Sequence, residues 1–168
     1  MSTAQAQPKP TREQIYKLLE QVTDPEIPVI SLLDLGCITE VEVRDDGEVF
    51  VEMVPTFAGC PAQRIMLFNI EQVLEENGIT THDVRLNSNR AWTSNNISQK
   101  GRQILLDFGL SPPPAYDGEL NDDTLEKAMC PNCHSTNTKL INPFGPSLCR
   151  AVHKCHDCKE TFEQFKPI

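Results

Sequence analysis

The sequence predicts an α+β protein in two parts: a small mixed α/β front domain on a short antiparallel or mixed sheet, then a C-terminal zinc-ribbon-like metal-binding domain. Three observations carry this. Helical and strand periodicities alternate over residues 11–110, a run of prolines and acids over 111–127 interrupts all periodicity, and two C-x2-C pairs follow within 128–168. At 168 residues there is room for one ordinary domain and a small appendage.

Residues 1–10, with Pro8 and Pro10 among small polar neighbours, have no periodicity and read as a flexible leader. Thr11 is a predicted N-cap with Gln14 completing a capping box, and Ile15, Leu18, Leu19 and Val22 recur at helical spacing. Pro25 and Pro28 end that helix. Ile38–Val43 and Glu48–Val54 are β-branched runs around Asp45-Asp46-Gly47, a hairpin signal, with Val49, Val51 and Met53 on the inward side. Pro61 is expected to open a second helix whose apolar stripe is Ile65, Met66, Ile70, Val73 and Leu74, stopped at Asn77-Gly78. A short strand near His82–Asn87 follows, then a polar loop, Ser88–Asn96, holding the sole tryptophan, Trp92. A helix over Ile97–Phe108 presents Ile104, Leu105 and Phe108 and stops at Gly109. The segment 111–127 has linker chemistry: stiff at Pro112-Pro113-Pro114, then solvated around Gly118.

The net charge of −9 is uneven, −11 over residues 1–129 and +2 over 130–168. An acidic body repels phosphate backbones, so nucleic-acid binding is not expected and a protein partner is. No apolar run is long enough to span a membrane and the start has no secretory apolar segment, so the expected location is the cytoplasm. There thiols stay reduced, and the seven cysteines point to metal or thiolate chemistry.

Cys130-Pro-Asn-Cys133 and Cys155-His-Asp-Cys158 each offer two thiolates from a tight knuckle, and together they make a four-sulfur site. A tail this short cannot bury a core of its own, so the metal would supply its folding energy. Zinc and an iron–sulfur cluster both suit four thiolates. Cys149 is a fifth thiol, either a small buried apolar residue or an additional ligand. His134, His153 and His156 read as knuckle or surface residues. In the front part Cys60 closes Thr56-Phe57-Ala58-Gly59-Cys60-Pro61 at a predicted helix mouth, where backbone N–H groups and the helix dipole would lower its pKa. Cys37 reads as core. A Cys–His hydrolase would need a partner for Cys60, and the front part has only His82, near a strand start. No histidine has a glutamate three residues before it, as di-iron bundle sites require, and no G-x-G-x-x-G phrase is present.

The order Asp24-Pro25-Glu26, Asp34-Leu35-Gly36 and Thr56-x-x-x-Cys60-Pro61 resembles the small iron–sulfur assembly domain shared by SufT-type proteins and the cytosolic iron–sulfur targeting factors of eukaryotes. Ala91-Trp92-Thr93, Ile97-Ser98, Gly101-Arg102 and the tail Cys130-Pro131, Phe144-Gly145, Cys149, Cys155, Cys158 and Phe162 narrow the likeness to the PaaD family, also called PaaJ, over roughly residues 11–168. Ser94-Asn95-Asn96 departs from the acid and aromatic expected in that family. The resemblance implies an iron–sulfur assembly domain at 11–110 and a four-cysteine ribbon at 128–168. It implies an accessory, non-catalytic maturation component of the phenylacetyl-CoA 1,2-epoxidase system of aerobic phenylacetate breakdown. Cys60 would be a labile metal or cluster ligand, with Asp24, Glu26 and Thr56 shaping its pocket. Zinc would sit at Cys130, Cys133, Cys155 and Cys158, and an iron–sulfur cluster would be held transiently at Cys60 or by the tail. The implied partners are the oxygenase and reductase subunits, with a second copy of the chain as a homodimer partner. The alternatives are an electron-transfer subunit with its cluster in the tail and a zinc-ribbon nucleic-acid module.

Overall fold

The computed structural model describes residues 9–116 and 122–168; most of the expected leader and linker residues 117–121, Gly118 among them, lie outside the described residues. Thr11 caps α1 (Arg12–Leu19) as its sequence predicts: its hydroxyl accepts the Gln14 N–H at 3.2 Å while Gln14 Oε1 accepts the Thr11 N–H at 2.8 Å. Ile15, Leu19 and the following Val22 are buried.

β1 (Ile38–Val43) and β2 (Val49–Met53) pair antiparallel around a turn whose Gly47 has φ +89°. Val49, Val51 and Met53 are fully buried, as their alternation predicts. β3 (His82–Leu86) pairs parallel with β2, Val84 opposite Val51, giving a mixed sheet in the order β1-β2-β3. A parallel pair needs a crossover, here α2 (Gln63–Glu76), which lays Met66, Ile70 and Leu74 inward. Two expectations fail on α2. The helix starts at Gln63 with Ala62 as an uncapped N-cap, leaving Pro61 in the preceding turn, and Ile65 is 51% exposed because the inward stripe runs through Met66.

Helix α3 (Gln99–Phe108) begins two residues later than its periodicity suggests, since the Ser98 hydroxyl takes the cap by accepting the Gly101 N–H at 2.8 Å. Leu105 faces the core and Gly109, at φ +94°, ends the helix. Phe108 is exposed, against expectation, because it lies a turn beyond the packed face.

The C-terminal part contains β4 (Leu110–Ser111), the short α4 (Asp122–Glu126), β5 (Thr138–Asn142), β6 (Arg150–Cys155) and β7 (Thr161–Phe165). Its sheet runs β4-β7-β6-β5, with β4 parallel to β7 and the other pairs antiparallel. The expected linker therefore starts inside a sheet. Arg102 extends the attachment by donating to the carbonyls of Pro113 and Ser94, and the Tyr116 hydroxyl donates to the Ile168 carbonyl at 2.7 Å. Ser94, in the loop that departs from the family pattern, is fully buried and its N–H donates to the Ile168 carbonyl at 2.9 Å. Phe165 belongs to the main core, whereas Ala128, Cys130, Cys155 and Phe162 form a small second one. No helix among the described residues is long and apolar enough to cross a membrane.

Candidate functional site

Two thiol centres stand in this fold. The first is built by the knuckles of the C-terminal sheet. The Cys130 carbonyl accepts the His134 N–H at 2.8 Å, and the Cys155 N–H donates to the Glu160 carbonyl at 2.8 Å. The residue after each second cysteine turns the chain back through positive φ, His134 at 59° and Lys159 at 67°. As a result the sulfurs of Cys130, Cys133, Cys155 and Cys158 all lie within 4.8 Å of one another, with Cys130–Cys158 and Cys133–Cys155 at 3.6 Å. This is the donor set of a tetrahedral metal centre. The Glu160 N–H and the Asn132 side chain draw the Cys158 thiol down to about 6.

The neighbouring histidines take other parts. His134 and His156 are exposed. His153 is fully buried rather than a knuckle or surface residue: it stacks on Phe162 at 5.7 Å and its Nε2 lies 3.0 Å from Gln164 Oε1. Cys149 is outside the four-sulfur group, just before β6, with its sulfur 3.1 Å from the Ser147 hydroxyl.

The second centre is in the front part. Asp24 is buried and its Oδ1 accepts the N–H groups of Glu26 at 2.8 Å and Ile27 at 3.0 Å, which curls the two-proline loop onto the body. Thr56 is buried, and the Cys60 N–H donates to the Phe57 carbonyl at 3.0 Å, placing the half-buried thiol at the turn before α2. Cys60 lies within electrostatic reach of Asp24, Glu26 and the fully buried Cys37. Burial pushes the Cys60 thiol up, and the Asp24 and Glu26 carboxylates add to that, outweighing the N–H groups of Ala62 and Gln63. The sequence expectation of a lowered pKa is thus reversed: burial of the sulfur is the largest cause, and the charges of Asp24 and Glu26 add to it. Burial likewise raises Asp24.

Asp34-Leu35-Gly36 builds the frame. The Asp34 carboxylate accepts from the hydroxyls of Ser31 at 3.0 Å and Ser98 at 2.7 Å and from Lys100 at 3.1 Å. Gly36, at φ +74°, and Gly101 let two segments cross, because a Cβ on either would fall 2.5 Å from the Asn96 carbonyl oxygen or 2.6 Å from that of Asp34. Arg150 is a residue that sequence reasoning misses. It pairs with Glu163 at 2.8 Å and donates to the Glu26 carbonyl at 3.3 Å, a contact across 124 residues for which no local signal exists.

Comparison with known proteins follows the same division. A model described as PaaD zinc beta ribbon domain matches residues 115–166, and one described as iron-sulfur cluster assembly protein matches 12–80. A protein of Escherichia coli K12 named as a component of 1,2-phenylacetyl-CoA epoxidase is 35% identical over 95% of this chain and 94% of its own. A Porphyromonas gingivalis protein named Fe-S protein maturation auxiliary factor is 34% identical over 59% of this chain and 91% of its own. The crystal structure of a domain of unknown function, DUF59, from Bacillus anthracis shares the fold, with a TM-score of 0.53 at 24% identity over 56% of this chain and 90% of that one.

Proposed function

Since the chain belongs to the PaaD family, which its Escherichia coli relative represents in 1,2-phenylacetyl-CoA epoxidase, we propose that it is an accessory maturation component of such an epoxidase system. In this reading it assists assembly of metal or iron–sulfur centres on the other components and does not itself turn over substrate. The observation that carries it is the half-buried Cys60 beside Asp24 and Glu26, in a fold shared with a relative named for iron–sulfur maturation.

The chemistry of Cys60 suits temporary holding. With its pKa raised, the free sulfur keeps its proton at neutral pH, so binding a metal ion must expel that proton. The cation's charge favours the thiolate, and Asp24 and Glu26 attract the same charge, while reprotonation favours release. An exposed apolar side chain, Phe57, stands in the same turn, where a protein surface could cover it.

The ribbon serves structure in this reading and holds zinc. Bonds of ~2.3 Å to one tetrahedral ion put sulfurs roughly 3.8 Å apart, close to the observed 3.6 Å pairs. An iron–sulfur cluster spreads its thiolates over separate irons, which supports zinc over the electron-carrier alternative.

The test is reconstitution. Epoxidase components produced with this protein should keep phenylacetyl-CoA-dependent NADPH consumption after it is removed, and components produced without it, or with Cys60→Ser, should be metal-poor. A rate that vanishes on removal and rises in proportion to added protein would identify an electron carrier instead.

A further inference from the structure

We propose that strand β1 of one chain and strand β5 of a second copy pair antiparallel, Glu42 beside Lys139, and that two such junctions close a symmetric dimer. Both strands are edges, β1 of the front sheet and β5 of the ribbon sheet. The Arg44 N–H donates to the Glu48 carbonyl and the His156 N–H to the Asn137 carbonyl, at 2.9 Å each. Antiparallel alternation from these bonds turns the N–H and C=O groups of Val41 and Leu140 away from β2 and β6, and no other described residue bonds them. Beside β5 a groove of about 810 Å³, lined by Lys139, Leu140 and Pro113 among others, leaves room for a further strand.

The charges on these edges select the occupant. Lys139 stands directly opposite Lys154, and Glu40 directly opposite Glu52, each a like-charge pair that weakens its own sheet. Among the described residues none of these four forms an ion pair, and Glu42 reaches Arg44 only at 4.0 Å. A lysine on an edge guards against stray pairing, but Lys154 and Glu52 lie on inner strands, where no such guard is needed. Pairing β5 with β5 would gather lysines and β1 with β1 glutamates, whereas β1 with β5 joins opposite signs. With Val41 opposite Leu140, Glu42 stands opposite Lys139 and Glu40 lies diagonal to it. The remaining edges do not compete: β4 has two residues, and on β3 Asp83 and Arg85 pair with each other at 2.7 Å. Two copies related by a dyad make the contact twice, so neither strand is left open. This inference is independent of the role given to Cys60.

The test is sedimentation velocity of the full chain with its ribbon zinc-filled, from micromolar to millimolar concentration and at low and high salt. The wild type should form dimers that weaken as salt rises. Lys139→Glu and Glu42→Lys should each weaken the dimer at least about tenfold, and an equal mixture of the two variants should recover it, because each junction then again joins opposite charges. Lys139→Glu also gives Lys154 a neighbour of opposite sign, so in dilute solution it should melt no lower than the wild type. Retained zinc and unchanged Trp92 emission certify the fold of both variants. Carbodiimide coupling of isotope-labelled with unlabelled chains should yield a Glu42–Lys139 link between copies. Monomers at every concentration would overturn the proposal and leave these edges to a different protein. Open-ended growth, or a dimer indifferent to both variants, would equally overturn it.

Discussion

The ring of Trp92, in the loop before α3, lies 5.7 Å from that of Phe165 at the end of β7, the two planes inclined by 59°. The indole N–H also donates to the Leu35 carbonyl at 3.0 Å, so one side chain joins the frame of the front domain to the last strand of the ribbon. This geometry is a favourable aromatic pair inside a shared core.

Replacing Phe165 by alanine should therefore lower stability by about 3–5 kcal/mol. In urea, Trp92 emission and release of the ribbon metal should change in one transition. A ribbon transition well separated from that of the front domain would show that the shared core does not couple them.

Removing the metal acts from the opposite end of the ribbon. With chelator, or in Cys130→Ser, amides of Cys130, His134 and Cys155 should exchange faster with solvent while β1–β3 keep their protection, because the knuckle turns depend on the ion and the front sheet does not. Amide exchange resolved by residue reads this directly.

Cys60 should alkylate faster than the fully buried Cys37, with a pH–rate midpoint above that of an ordinary thiol. Glu26→Gln removes a negative charge that opposes the thiolate, so it should move the midpoint down and raise the rate at pH 7. A midpoint below the ordinary thiol range in the wild type would contradict the arrangement.

Asp34 governs acid stability. Burial opposes its charge, but hydrogen bonds from Ser98, Lys100 and Ser31 outweigh this and hold its pKa below the usual carboxylate value. Its stabilisation is thus complete above about pH 4, the unfolded value, and is lost as pH falls through the lower folded value. Asp34→Asn should cost about 2 kcal/mol at pH 7 and progressively less as pH falls below about 4, measured from urea midpoints.

What can be read in advance is local. The Thr11 capping box, the Gly47 turn, the inward alternation of β2 and the two knuckles each follow from neighbours a few residues apart, and each stands as expected. What escapes depends on distant chain. Ser111 reads as linker by composition but is placed by its pairing with Gln164, and the Cys60 thiol reads as acidic until folding half-buries it within electrostatic reach of Asp24 and Glu26. Asp34-Leu35-Gly36 resembles part of a site in sequence and is the crossing point of two segments in space, since glycine is demanded there by the approach of Asn96.

Strand β6 lies between β5 and β7, with the metal-site Cys155 at one end and Cys149 just before the other. Six steps of strand make this a stiff rod of about 20 Å. Held by ladders on both sides, it cannot bend alone, so a tilt imposed at the knuckle is delivered as displacement at Cys149. The metal site and the ribbon's anchor on the front part thus stand at opposite ends of one strand, since Arg150, the first residue of β6, donates to the Glu26 carbonyl.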